Sequence, residues 1–171
     1  IGWKDRFALG GNAERQRKRV STAGGDTVYT PQVMVGEQTQ VAWNSPEKFE
    51  AALLHGKSAA GLDIELHVVE KAGIRAFSVS TGESISSGTN IRVWLAYTLD
   101  GQITTVRAGE NRGATLKHDG VVRHLWGPWT PPVSESMQIV NPDAEETSWN
   151  LVAFAQDADG RTLQSLTLKA G

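Results

Sequence analysis

The densest group of polar side chains in the 171-residue sequence lies between Arg107 and His124. Arginine and histidine can bind a carboxylate or a phosphate, and the glycines at 109 and 113 would let the backbone approach a ligand closely. This pattern suggests a pocket for a small anionic or peptide ligand. We favour the structural alternative, a loop held by an Arg–Glu pair and by asparagine bonds to the backbone. The candidate ligand residues are Arg107, Glu110, Asn111, Arg112 and His118.

Motifs for covalent catalysis are incomplete. The segment GESISSG at residues 82–88 approaches the G-x-S-x-G nucleophile elbow, but Ser86 occupies the place of the second glycine and no helical pattern follows. We interpret it as a loop between strands. Cysteine is absent, which excludes a thiol nucleophile and a thiolate metal site from this chain. We therefore predict no catalytic residue.

The histidines and aspartates do not form a metal-binding pattern. His55, His67, His118 and His124 make no H-x-H or H-E-x-x-H pair. The segment DADG at 157–160 resembles the start of a calcium-binding loop, but the later ligands are missing, and we interpret it as a hairpin turn. No metal and no other cofactor is predicted.

Composition and charge exclude some classes of partner. The sequence is 39% apolar and 21% charged, which is typical of a globular chain, and its formal net charge of −2 disfavours bulk attraction to nucleic acid. No stretch approaches the roughly 18 consecutive apolar residues of a membrane span, and no signal-peptide pattern is present. We predict no nucleic-acid partner and no membrane span. The chain begins at Ile1, and we expect it to be part of a longer protein.

Two helices are predicted in the first 60 residues. Asn12 is a suitable N-cap for the good helix formers AERQRKRV, and the glycines at 24–25 end that helix. The second helix has Pro46 at its first position and ends at Gly56. A solvated helix face, rather than a binding patch, is our interpretation of the basic residues Arg15, Arg17, Lys18 and Arg19.

A hairpin is predicted between these helices. Residues 28–35 and 39–43 are rich in strand formers, and the short turn between them favours antiparallel pairing. Pro31 has no N–H to donate to a neighbouring strand, so we expect it at the first residue of the strand.

The pattern changes near residue 60, where we place a domain boundary. Short apolar runs recur up to residue 170 without a helical period. Asp-Gly pairs at 100–101 and 159–160 each predict a hairpin between the runs on either side. Seven or eight such strands predict an antiparallel β-sandwich over residues 61–171.

Four tryptophans belong to this predicted sandwich. Trp94 and Trp149 lie inside strands, and we expect both to fill the core. Trp126 and Trp129 bracket a proline-rich segment, and we expect them to pack against the neighbouring sheet rather than to face a partner.

The order of several motifs indicates a family. The segments IGWKDRFA, VYTPQVMVGE and AGENRGATLKHDGVVRHL follow one another along nearly the whole chain. In this order they resemble a bacterial family of secreted thioredoxin-like proteins, the domain of unknown function 1223. The resemblance implies a cis bond at Thr30–Pro31, at the head of a strand beside a redox-site helix. It also implies export to the periplasm or secretion.

The same resemblance implies a binding site and a partner. Residues around the cis-proline, namely Tyr29, Thr30 and Pro31, would pair with an extended peptide, and a protein thiol or disulfide would be the partner. Family members carry a Cys-x-x-Cys motif upstream, which this chain lacks. Thiol chemistry would therefore require that segment, and no redox turnover is expected of this chain.

We thus expect an α+β fold with two parts. Residues 1–60 would form the C-terminal half of a thioredoxin-like α/β unit, and residues 61–171 the antiparallel β-sandwich. The expected function is that of an exported thioredoxin-like protein that engages peptides or thiols. The alternative is a non-enzymatic binding or structural module that recognises a ligand through the sandwich loop 107–118. The oligomeric state stays open.

Overall fold

Alternating apolar residues and intervening turns after residue 60 produce a β-rich molecule. The computed structural model describes residues 7–56, 61–83, 90–109, 112–140, 142 and 148–170. Within these ranges the chain forms two helices, α1 (Asn12–Thr22) and α2 (Pro46–His55). The strands in these ranges are β1 (Ile64–Lys71), β2 (Ile74–Thr81), β3 (Arg92–Leu99), β4 (Gln102–Thr105), β5 (Thr115–His118), β6 (Val121–Trp129), β7 (Val133–Val140), β8 (Trp149–Gln156) and β9 (Thr162–Ala170).

Two antiparallel sheets pack face to face around a common core. One sheet has the strand order β1-β2-β7 and the other the order β6-β3-β8-β9. Side chains alternate between the faces of a strand, and in β8 every second residue from Trp149 onward is buried. Phe77 of the first sheet and Tyr97 and Trp149 of the second have ring centroids 5.7 Å apart in each pair. The expected core position of Trp149 is confirmed.

One charged side chain lies at the edge of this aromatic core. Arg75 is buried, and its guanidinium donates hydrogen bonds to the Tyr97 hydroxyl and to the Glu70 carboxylate. The same guanidinium lies 4.4 Å from the centroid of the Trp149 ring. A buried cation needs such partners, because an unpaired one would lose its hydration without compensation.

Trp126 and Trp129 of β6 pack against the core between the two sheets. Both are partly buried against the core, and Trp126 lies with its ring centroid 6.1 Å from that of Phe77. The expectation that they pack against the neighbouring sheet is confirmed.

Two hairpins form at tight turns. β1 and β2 pair across Ala72 and Gly73, which both have positive φ, as a two-residue turn of the hairpin type requires. β8 and β9 pair across the Asp159-Gly160 turn, so that hairpin prediction is confirmed. Asp157 Oδ1 accepts the N–H groups of residues 159 and 161, which confirms DADG as a hairpin turn.

The hairpin predicted at Asp100-Gly101 is wrong. β3 pairs with β6 and β8, so both of its edges are occupied, and β4 pairs with β5 instead. The Asp100 carboxylate accepts hydrogen bonds from Gly120 N at 2.7 Å and from Asn150 Nδ2 at 2.8 Å. In return, the Asp119 carboxylate accepts one from Gly101 N at 2.7 Å. The Asp100-Gly101 and Asp119-Gly120 turns thus bond each other, and the chain leaves the sheet after β3.

Both predicted helices are confirmed, although Gly11 and not Asn12 is the N-cap of α1, and the regular strands predicted between them do not form. In the described ranges, residues 28–43 contain a single bridge, between Val35 and Gln38. Val35 and Gln38 exchange both backbone hydrogen bonds across the turn at 36–37, and Val41 N donates to the Val33 carbonyl, so a short antiparallel turn forms without regular strands. The Gln32 side chain adds bonds to the carbonyls of Thr27 and Thr39, and in the described ranges no strand of either sheet pairs with this segment.

These observations correct the predicted fold class. The described residues form mostly antiparallel β-structure with two helices, and a thioredoxin-like α/β unit is not present among them. Thr30–Pro31 is a cis peptide bond, as expected, but Pro31 is exposed and heads no strand. The domain boundary predicted near residue 60 falls on residues 57–60, outside the described part of the chain.

The N-terminal segment lies against the outer face of the four-stranded sheet. Val20 of α1 is only 1% exposed. Arg19 donates a hydrogen bond to the carbonyl of Gly36, and Arg161, just before β9, donates to the Glu37 carboxylate. The turn at residues 36–37 is thus held between α1 and the β8–β9 hairpin.

The paired Asp-Gly turns predict a pH-dependent stability. Hydrogen bonds from Gly120 N and then from Asn150 hold the pKa of Asp100 below its ordinary value of 3.8. A depressed pKa means that the carboxylate stabilises the fold at neutral pH and that this contribution disappears as the pH falls from 3.8 through the folded-state pKa. We expect Asp100→Asn to lower the free energy of unfolding by about 1–2 kcal/mol at pH 7.

Thermal unfolding from neutral to acidic pH checks this expectation. The difference in Tm between wild type and Asp100→Asn should shrink towards zero in acid, and Asp26→Asn, on an exposed segment, should match wild type throughout. A difference that stays constant over the whole pH range would contradict the role given to Asp100.

Gly127 gives a second prediction. Its φ is +108°, and a Cβ added there would lie 2.7 Å from the carbonyl oxygen of Val93. We expect Gly127→Ala to destabilise the protein by about 1–3 kcal/mol, because both the backbone conformation and the contact are unfavourable. Gly82→Ala is the control, since open space surrounds Gly82. Equal denaturation midpoints in urea for the two variants would refute the prediction.

Candidate functional site

A cleft of about 650 Å³ lies between α1 and the outer face of the four-stranded sheet. One wall is the face of α1 that carries Arg15 and Lys18, and the opposite wall is the β8–β9 turn. Outward side chains of β3 and β8 form its base. The volume falls in the range of pockets that hold small ligands.

The base of the cleft is aromatic. Val93 and Leu95 of β3 point into the core, so Trp94 between them points outward. Phe154 stands opposite Trp94 on β8, and the two rings are nearly parallel, 10° apart, with centroids separated by 6.4 Å. The expectation that Trp94 fills the core is therefore wrong, because the alternation of the strand puts it on the other face.

Arg15 covers this aromatic pair. Its guanidinium carbon lies 4.1 Å from the centroid of the Trp94 ring and 5.9 Å from that of Phe154. Such a cation–π contact contributes about 0.5–1 kcal/mol when exposed and about 2 kcal/mol when desolvated. A guanidinium held over aromatic rings keeps its N–H groups available for hydrogen bonds.

A neutral side chain holds Arg15 in place. Arg15 Nη2 donates to Gln156 Oε1 at 3.3 Å, and Gln156 Nε2 donates to the carbonyl of Gly160 at 3.0 Å and to Thr162 Oγ1 at 3.3 Å. The amide of Gln156 is thereby anchored to the β8–β9 turn. Its oxygen is an uncharged acceptor, which leaves the charge of Arg15 in place.

Burial lowers the pKa of Arg15, and no carboxylate among the causes of that shift opposes it. Desolvation lowers the pKa of Arg15 from 12.5, and the group still carries its charge at neutral pH. Within the described ranges, no carboxylate forms an ion pair with it. A guanidinium has five N–H donors, and one hydrogen bond accounts for only one of them.

The nearby carboxylate of Asp157 is already engaged. Arg161 Nε donates to Asp157 Oδ2 at 2.5 Å, and Arg161 also bonds Glu37. The hydrogen bond and the charge of Asp157, followed by Glu37, raise the pKa of Arg161. Desolvation lowers the pKa of Arg19, while the negative charge of Asp157 opposes that effect. The charge of Asp157 therefore neutralises Arg161 in the β8–β9 turn and not Arg15.

The cleft is consequently cationic on a chain whose formal net charge is −2. Arg15, Lys18 and Arg92 all line it, and Arg92 bonds a hydroxyl, that of Thr130. Asp159 is the exposed carboxylate on the turn side. The arrangement of planar donors on an aromatic base suits a carboxylate or a phosphate.

The predicted ligand loop lies elsewhere. Arg107 and Arg112 are exposed, and Glu110 and Asn111 lie outside the described residues. His118 is partly buried in β5, and its ring lies 5.7 Å from that of Phe7 between centroids, with an angle of 69° between the two planes. None of these described side chains lines the cleft, and a ligand-binding role for the loop stays a prediction.

The cis-proline residues are also separate from the cleft. Tyr29, Thr30 and Pro31 are exposed, and the Tyr29 carbonyl accepts a hydrogen bond from Gln16 Nε2 at 3.0 Å. They do not line the cleft, although Gln16 does. Their peptide-binding role stays a prediction.

The residues that build the cleft were missed for identifiable reasons. The basic run was interpreted as a solvated face, and Arg17 and Lys18 are indeed exposed, whereas Arg15 and Arg19 are partly buried. Arg15 and Arg19 are four residues apart and share one helix face, which is the signal that the sequence contains. Gln156 carried no signal, because its role depends on a turn and a helix distant in sequence.

The described ranges contain neither a metal-binding cluster nor a membrane-spanning helix. No cluster of three or more histidines and carboxylates in these ranges could hold a metal ion. The described helices are too short and too polar to cross a membrane.

Comparison with known proteins gives one family. The family described as "Protein of unknown function (DUF1223)" matches residues 1–156. No curated protein matches the sequence. Among solved structures, the chain is similar to a DUF3823 family protein from Bacteroides ovatus, with 9% identity and a TM-score of 0.34.

That likeness covers 63% of this chain and 55% of the other, so this chain spans about half the length of that protein. At such a TM-score it carries no argument about fold or function. The DUF1223 match, in contrast, extends over most of the sequence. The chain therefore belongs to the DUF1223 family, which confirms the family indicated by its sequence motifs.

Proposed function

We propose that this chain is a binding module that holds an anionic ligand, a carboxylate or a phosphate, in the cleft beside Arg15. The observation that carries the proposal is the environment of Arg15, a half-buried cation stacked on Trp94 and oriented by the neutral Gln156. Desolvating a cation without a carboxylate partner is unfavourable, and an anionic ligand would compensate for that cost.

The cleft is a better candidate than the loop at 107–118. Its donors converge on one concave space, whereas Arg107 and Arg112 are exposed on the surface. Concave sites with a few oriented polar groups are the usual location of ligand binding. The proposal thus keeps a binding role for the sandwich and moves it to another face.

Two further expectations stay predictions from the sequence resemblance. They are export to the periplasm or secretion, and engagement of a peptide thiol or disulfide in a longer protein. Neither is needed for anion binding by the cleft.

Isothermal titration with acetate, glutarate and inorganic phosphate tests the proposal. We expect at least one of these anions to bind saturably, and Arg15→Gln to weaken that binding by about tenfold or more, equivalent to about 1.4 kcal/mol. Arg17→Gln is the matched control, because Arg17 belongs to the same helix and is exposed outside the cleft.

Arg15→Lys separates charge from geometry. Lysine keeps the positive charge but lacks the planar fork, so we expect intermediate affinity. Equal affinities for wild type, Arg15→Gln and Arg17→Gln would refute the proposal, and so would the absence of binding by all three anions. Thermal unfolding of each variant verifies that the comparison is made between folded proteins.

A further inference from the structure

The cleft at Arg15 is the middle part of a longer groove along α1. A second cleft of about 510 Å³ lies at the start of α1 and shares Arg15, Lys18 and Trp94 with the first. A third of about 600 Å³ adjoins it on the other side, where Met34 and Gln156 line both. The three clefts therefore follow one another along α1, and we call the row that they form the groove.

The length of this groove suits an extended chain better than a small ion. The eleven residues of α1 rise about 16 Å along the helix axis. An extended peptide rises about 3.3 Å per residue, so about five residues match that length. A single carboxylate or phosphate would occupy only the centre.

The groove has charged side chains at its centre and apolar side chains at both ends. The central cleft has four cationic side chains against Asp157 and Asp159, and the cleft at the start of α1 adds Arg123 and Glu14. Apolar side chains line the two end clefts, Leu9 and Leu125 at the start of α1 and Leu53 and Leu163 at the other end. Leu53 of α2 is 45% exposed, which is large for a leucine.

We infer that the groove binds an extended acidic peptide segment of a partner protein, with carboxylates at its centre and apolar residues at its ends. This inference rests on the proposed function, because it assigns the anion at Arg15 to an acidic side chain. The cationic side chains of the central cleft favour acidic residues at the centre of the segment. The leucines of the end clefts favour apolar residues at its ends, because apolar surface is buried there. The segment would be about five residues long.

Blocked synthetic peptides test this inference. The probe is acetyl-Leu-Asp-Glu-Asp-Leu-amide, and its controls are the neutral analogue with Asn and Gln in the centre and the analogue with glycine at both ends. We expect the acidic, leucine-ended peptide to bind at least tenfold more tightly than either control and than acetate. Raising the ionic strength should weaken its binding, because the central pairs are partly exposed.

Variants at the ends of the groove separate peptide binding from anion binding. Arg123→Gln and Leu53→Ser change residues that do not line the central cleft, so each should weaken the peptide severalfold and leave the affinity for acetate or phosphate unchanged. The matched controls are Arg112→Gln, exposed and outside the groove, and Leu54→Ser, whose side chain is 60% exposed on the same helix.

The outcomes distinguish the two proposals. If small anions bind and depend on Arg15 but the acidic peptide is no tighter than its controls, the peptide inference is wrong and the anion site stands. Peptide binding that responds equally to Leu53→Ser and Leu54→Ser also overturns the inference. If neither anions nor peptides bind, both proposals fail. Self-association abolished by Arg15→Gln would make a second copy the occupant and would likewise overturn it.

Discussion

The contact between the Arg15 guanidinium and the Trp94–Phe154 pair is the interaction on which the site depends. It attaches the N-terminal helix to the sheet and at the same time places a positive charge beside a cleft. A carboxylate partner would have anchored the helix equally well but would have cancelled that charge. Stacking on aromatic rings and a bond to the neutral Gln156 achieve the attachment without neutralisation. The fold and the proposed binding role thus share one interaction.

The core of the sandwich determines the geometry of this contact. Val93 and Leu95 are fully buried between the sheets, and the alternation of a strand then requires Trp94 to face outward. Phe154 lies directly opposite Trp94 in the β3–β8 ladder, and its neighbours on β8 are buried as well. A slip of one residue would move every core side chain of a strand to the outer face. The positions of the two rings are therefore as strongly specified as the core itself.

Local sequence signals predicted the local elements and failed where the partner was distant. The two helices and the β8–β9 hairpin follow from helix formers, glycines, a proline and an Asp-Gly turn, and they are confirmed. Residues 28–43 have strand-forming composition, yet in the described ranges they bond only each other across the turn at 36–37 and join neither sheet, and the predicted thioredoxin-like unit is not present there. At Asp100 a turn signal was outweighed by bonds to Gly120 and Asn150. Arg15 and Gln156 could not be paired from sequence, since 141 positions separate them.

The most direct test of the central claim is the indole N–H resonance of Trp94 in ¹⁵N-edited NMR spectra during titration with acetate or phosphate. An anion bound at the Arg15 guanidinium, 4.1 Å from that ring, should shift the Trp94 resonance saturably. The resonance of Trp149, buried in the core, should stay in place. No shift of Trp94, or equal shifts of both tryptophans, would contradict the assignment of the anion to Arg15.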